Sequence, residues 1–247
     1  APPSASAPPE TSQPLGAALW MSGAVASFTA MAIAGRQVSA VHDSFEIMTA
    51  RSAIGFGLVV GYGLISGRLR EVSSGRLGGH ALRNVVHFTG QNLWFWALTM
   101  IPLAQVFALE FTSPIWVILL SPLVLGERLT GTKLLSAGLG FLGILLVARP
   151  DFAALDPGVL AAAAAAVCFA ATSILTKRLT KGEPIIGILF WLTLMQFFLG
   201  LGMAALDGTV HLPTTATLPW LLLIGCAGVL AHLSLTSALK LAPASFV

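Results

Sequence analysis

Charge is what this chain has least of. Only 9% of its 247 residues are Asp, Glu, Lys or Arg, where a soluble domain carries roughly 25%. Hydrophobic residues make up 56%, and the mean hydropathy is +0.87. That balance excludes a water-soluble domain. It predicts an all-α integral membrane protein, a multi-span helical bundle with the lipid bilayer as its first partner. The net charge of +3 does not imply nucleic acid, because the basic residues sit in short loops, where they set membrane orientation. Cysteine is nearly absent. Cys168 and Cys226 both lie in apolar segments, which excludes a disulfide framework or a CxxC pair and leaves two packing residues. No HExxH, GxSxG, P-loop or Cys/His ligand cluster occurs. The reading is therefore of a non-enzyme with no cofactor and no metal.

What is there are long apolar runs. A helix needs about 20 such residues to cross the bilayer core. Eight segments qualify, at 16–35, 44–66, 81–101, 103–125, 131–148, 157–177, 184–206 and 217–240, and a ninth opens at Pro243. Gly- and Pro-rich breaks separate them. Residues 1–15, "APPSASAPPETSQPL", read as a disordered tail. Ten Lys and Arg fall in the loops after spans two, four, six and eight. Only Arg36 and Arg149 fall in those on the other side. This predicts an N-terminus in the cytoplasm and odd spans running outward, through the inner membrane of a cell.

A shift of 141 residues aligns the chain with itself without a gap. Phe28 falls on Phe169, Arg36 on Lys177, Phe56 on Phe197, Gly61 on Gly202 and Pro102 on Pro243. The expectation is two repeats of five spans, 16–149 and 157–247, the second incomplete. Because five is odd, the copies are inverted. Inverted repeats are a recurrent build of secondary transporters, with the solute bound near the midplane.

The stretch "RNVVHFTGQNLWFWALTMIPLAQVFALEFTSPIWVILLSPLVLGERLT", 83–130, followed by "GLGFLGILLVARP", 138–150, resembles the EamA-type transporters of the drug/metabolite transporter superfamily. So do "ILTKRLTK", 174–181, "ILFWLTLMQ", 188–196, and "AHLSLTSALKLAPASFV", 231–247. The resemblance implies ten spans in two inverted five-helix repeats, here cut short after eight spans and the start of a ninth. It also implies transport of small organic solutes such as amino acids, other metabolites or drugs. A passive channel and a non-transporting membrane scaffold stand as the other readings.

Two charges lie deep within spans, Arg51 and Glu110, each about eight residues in from the outer surface. Charges there are costly and usually face a cavity or a partner. Their equal depth predicts an ion pair, or two walls of one polar cavity. Glu110 then senses a substrate amine or a coupling proton, or else fixes packing in a permanent salt bridge. Pro114 removes the donor that would meet the Glu110 carbonyl, which predicts a kink there. In span three, Asn84, His87, Gln91 and Trp94 follow 3-4-3 spacing and share one face. A polar, aromatic face in a bilayer should line a cavity. His87 is placed near the cytoplasmic end and Gln91 nearer mid-depth; Gln91 matches His232 across the repeat. The candidate substrate-binding set is Arg51, His87, Gln91, Trp94, Glu110, Trp191 and His232. Gln105, Trp116 and Gln196 are weaker candidates for the same cavity. Gly57/Gly61 and Ser136/Gly140 have the small-xxx-small spacing of packing faces, and Glu127 reads as structural. Substrate, transport direction and oligomeric state are not legible in these residues.

Overall fold

The computed structural model describes residues 13–127, 129–148, 156–208 and 211–247. Most of the expected tail, together with Arg128 and Arg149, lies outside the described residues. Nine α-helices and one short 3-10 helix, and no strand, occur among the described residues. They are α1 (Pro14–Val38), α2 (Ser44–Ile65), α3 (Leu77–Met100), α4 (Leu103–Glu110), α5 (Ser113–Leu125), α6 (Gly131–Ala148), α7 (Pro157–Thr180), α8 (Ile185–Asp207) and α9 (Leu218–Leu241).

Six stretches are long and apolar enough to cross a membrane: α1, α2, α4 continuing into α5, α7, α8 and α9. The third expected span, α3, is helical but starts at Leu77, four residues earlier than its apolar content suggested. The first eight residues of the helix carry polar side chains that are buried by protein: His80, Arg83 and Asn84 are all 1% exposed or less. Arg83, counted above among loop cations, is therefore inside the bundle. The fourth expected span is one span in two pieces. With no N–H at Pro114, the helical hydrogen-bond ladder is interrupted at Phe111 and Thr112, which keep right-handed helical backbone angles, and α5 restarts with Pro114 in its first turn.

Local chemistry sets the other ends. At α2, the Asp43 carboxylate accepts from the Glu46 amide at 2.8 Å, and the Glu46 carboxylate accepts from the Asp43 amide at 3.1 Å. This capping box satisfies two helix-end donors at the expected outer surface. At α7, Asp156 accepts from Gly158 N, and Pro157 sits where its missing N–H costs nothing.

The helices pack in pairs far apart in sequence: α1 on α9, α3 on α7, and α2 on α8. Adding 141 to the bounds of α2 and α3 gives 185–206 and 218–241, against the observed Ile185–Asp207 and Leu218–Leu241. The close-packing positions differ from those expected. Around Gly57, Gly61 and Gly140 there is open space, so the expected seams are not packed. At Gly90 of α3, by contrast, an added Cβ would stand 2.7 Å from Cys168 Cβ of α7. The α3–α7 crossing depends on its absence. The main apolar core, including Met31, Ile47, Phe95, Leu98 and Ile224, fills the space between α1, α2, α3 and α9.

Candidate functional site

A cavity of about 150 Å³ lies inside the bundle, walled by residues of α1, α3, α4, α5, α7 and α9 and of the final segment. Most of its surface is apolar and aromatic, from Met21, Phe28, Met31, Phe111, Phe169 and Leu235. Five of the seven candidate residues reach it: His87, Gln91, Trp94, Glu110 and His232.

The α3 face supplies three of them, and each has a hydrogen-bond partner on another helix. His87 Nε2 lies 3.1 Å from His232 Nε2 of α9, with the rings edge to face at 85°. One imidazole must donate and the other accept, so the two rings hold opposite tautomers. His87 sits near the middle of α3, not near the end expected to be cytoplasmic, because the helix begins earlier than expected. One turn on, Gln91 Oε1 accepts from Arg51 Nη1 of α2 at 2.8 Å. At the next step along the face, Trp94 Nε1 donates to Glu110 Oε2 at 2.8 Å.

Arg51 and Glu110 do not pair. Each is held by a different α3 residue, and α3 stands between their helices as a polar divider. Arg51 is 5% exposed and is not part of the cavity wall; it lies behind Gln91. Trp191 stands apart. Its indole donates to the Ser73 carbonyl in the loop between α2 and α3, and its ring packs near His80. Gln105 and Trp116 do not line the cavity, and Gln196 Nε2 is spent on the carbonyl of Asn84 at 2.8 Å.

Arg83 escaped the sequence reading, because a basic residue close to a loop looks like a loop residue. Its Nε donates to Thr176 Oγ1 of α7 at 3.1 Å, and its Nη1 donates to Asn84 Oδ1 at 3.2 Å. Asn84 in turn donates to the Trp191 carbonyl of α8. Arg51 and Arg83 are thus two buried guanidiniums, and neither has a carboxylate partner among the described residues. The remaining signal in the sequence was the spacing: Arg83 lies four residues before His87, on the polar face. Among the described residues no group of three or more His, Cys, Asp or Glu is placed to hold a metal.

A bundle of long apolar helices, packed around a mostly apolar cavity into which a few polar groups converge, defines a multi-pass membrane protein. The chain belongs to the EamA-like transporter family, whose model matches residues 15–149 and again 156–247. It is 31% identical over 188 residues to a riboflavin transporter of Brucella anthropi, covering 74% of this chain and 66% of that protein. It is 29% identical to a riboflavin transporter of Vibrio cholerae over 95% of this chain and 79% of the other. An S-adenosylmethionine uptake transporter of Rickettsia conorii is 25% identical over 67% of this chain and 56% of its own length. This chain thus spans only part of the length of these relatives. A solved crystal structure shares the fold with a TM-score of 0.66, at 20% identity, over 91% of this chain and 81% of its own.

Proposed function

We propose that this chain forms a transporter of a small organic solute. The solute is held in the cavity between two inverted repeats, 16–149 and 157–247, and is released by alternating access. The observation that carries this reading is the convergence of His87, Gln91, Trp94 and Glu110 from the first unit and His232 from the second on one cavity. Such sites, mostly apolar with a few polar groups that orient the ligand, are the common form of a small-molecule pocket. The doubled family match and the 141-residue offset in the helix bounds support the repeat. A volume of about 150 Å³ is below the range of roughly 300–1,000 Å³ usual for ligand pockets. In this reading the structure is a narrow state of the pathway, and the turn between α4 and α5 is one place where the wall widens. Glu110 and the His87–His232 pair are the groups that take up a substrate amine or a coupling proton. The bilayer is the inner membrane, with the N-terminus in the cytoplasm.

The test is uptake into proteoliposomes, with riboflavin and S-adenosylmethionine as the first solutes because the relatives are named for them. Saturable uptake that responds to an imposed pH gradient supports the reading with proton coupling. Flux that does not saturate makes the protein a channel. No flux of any solute in a broad metabolite panel makes it a scaffold.

A further inference from the structure

We propose that Arg51 sets the polarity of the cavity without touching it. Acting through the amide of Gln91, it makes the central wall a donor surface for a carboxylate or other anionic oxygen group of the solute. This names a ligand class for the site of the proposed transporter and a positioning role for Arg51.

The argument starts from what an amide can offer. A guanidinium has donors only, so Arg51 Nη1 at 2.8 Å can be met only by the amide oxygen of Gln91. That contact fixes the amide rotation. The NH2 group is the part of Gln91 left for the cavity it lines. A charged donor on the oxygen also polarises the amide and strengthens its N–H groups as donors. His87 and His232 stand beside it. Their mutual bond uses one ring proton, and the second ring keeps its proton on Nδ1, which has no partner.

The charge behind this wall is not compensated. Arg51 Nε and Arg83 Nη2 are buried and meet no acceptor. Buried cations without a counter-charge are costly, and an anion at Gln91 lowers that cost for both. The fold makes specific room for Arg51. A Cβ on Gly228 of α9 would stand 2.5 Å from Arg51 Nε, so the guanidinium occupies a notch that only glycine leaves. The carboxylate in the cavity, Glu110, is one step further along the α3 face, engaged by Trp94. The solute's anionic end therefore faces Gln91 and turns away from Glu110.

A merely structural tie between α2 and α3 would survive Gln91→Glu, since the new carboxylate would bind Arg51 more tightly than the amide does. The proposal requires that change to remove the donor wall. The measurement uses the purified full chain in nanodiscs, titrated with isosteric acid and amide probes: indole-3-acetate against indole-3-acetamide, and benzoate against benzamide. Thermal unfolding and tryptophan fluorescence are the readouts. Wild type should bind the acids at least about tenfold more tightly than the amides, as charge-assisted bonds are about twice as strong as neutral ones. Gln91→Glu and Arg51→Met should abolish that preference, and Arg51→Lys should keep part of it. Equal binding of acid and amide by wild type, binding of neither, or an acid preference that persists in Gln91→Glu overturns the proposal. Proteoliposome uptake in parallel separates the two readings. Saturable uptake without acid preference sinks this inference alone, and acid preference without uptake of any solute sinks the transporter.

Discussion

Arg36 and Lys177, 141 residues apart, hold their neighbours in the same way. Arg36 Nη2 donates to the carbonyls of Leu98 at 2.7 Å and Ile101 at 2.6 Å. Lys177 Nζ donates to those of Leu239 at 2.7 Å and Ala242 at 3.0 Å. Leu98 and Leu239, and Ile101 and Ala242, are themselves 141 residues apart. In each case a cation near the end of one helix caps the free carbonyls at the end of another, α1 on α3 and α7 on α9, where the helix dipole also favours it.

Removing either cation should therefore loosen one specific helix end. Arg36→Ala and Lys177→Ala should each lower stability by about 1.5–3 kcal/mol, the range for hydrogen bonds to a charged group. The effect should be larger at Lys177, which is 6% exposed, than at the more exposed Arg36. Thermal unfolding in detergent measures it. Lys177→Arg should keep most of the wild-type midpoint. A midpoint for Lys177→Ala equal to wild type would show that the capping contributes nothing.

Gly90 should tolerate no side chain. The Cβ of Ala would stand 2.7 Å from Cys168 Cβ and about as close to Phe169 as ring contacts permit, at 3.1 Å. Gly90→Ala should destabilise by about 1–3 kcal/mol through overpacking, and Gly90→Leu should prevent folding. Gly57→Ala, facing open space on α2, should leave the unfolding midpoint within about 0.5 kcal/mol of wild type. Reversal of that order would mean that the α3–α7 crossing is not as close as described.

These positions also show what the residue pattern could convey. Helix existence was legible because apolar runs of the right length are dictated by the bilayer, and the α2, α7, α8 and α9 bounds fall within a few residues of the expected ones. The α3 face was legible because Asn84, His87, Gln91 and Trp94 recur at helical spacing. Partners were not. Arg51 and Glu110 have matching depth and opposite sign, yet depth along a helix says nothing of which way it faces, and α3 intervenes. Small-xxx-small spacing likewise marks a face without saying whether it meets protein or lipid, so it pointed to Gly57 and Gly61 and passed over Gly90, whose neighbours four residues away are Val86 and Trp94. His87 and His232, 145 residues apart, could be joined only once α3 and α9 were placed side by side.

Acid should undo one tie at the expected cytoplasmic end. Glu127, in the loop between α5 and α6, is partly buried, which alone would raise its pKa. Hydrogen bonds from Ser245 and from the Ala244 amide, with Lys133 at 3.5 Å, outweigh burial and hold it below the ordinary 4.5. A depressed carboxylate adds stability that is present above its unfolded value and is lost as pH falls through its folded one. The stability gap between wild type and Glu127→Gln should thus be full well above the ordinary value of 4.5 and should shrink as the pH is taken below it. Unfolding midpoints of the two proteins from pH 7 to 3 give the comparison. A gap that is constant with pH would assign the tie to packing.

Orientation can be read from two loop positions. Ser74 lies in the loop that carries Arg68, Arg70 and Arg76, and Thr215 lies in the loop between α8 and α9. With Cys168 and Cys226 replaced, an impermeant maleimide on intact cells should label Thr215→Cys and should reach Ser74→Cys only after permeabilisation. Labelling of Ser74→Cys in intact cells would invert the topology and with it the expected N-terminal side.

Glu110 offers the sharpest separation of architecture from transport. Glu110→Gln keeps an oxygen for the Trp94 indole, which donates to the carboxylate at 2.8 Å. The neutral amide is also easier to bury than a carboxylate. The fold should therefore stay within about 1 kcal/mol of wild type. Trp94→Phe does the reverse: it keeps the charge, removes the indole donor and should cost about 1 kcal/mol for the lost bond. If Glu110 takes up a substrate amine or a coupling proton, saturable uptake should fall at least about tenfold in Glu110→Gln, with less loss in Trp94→Phe. Uptake should also no longer respond to a pH gradient in the first variant if the proton is the coupling ion. Should Glu110→Gln transport at the wild-type rate while correctly inserted, the carboxylate is there to hold Trp94 and the α4–α5 break in place, and the moving charge must be sought at the His87–His232 pair.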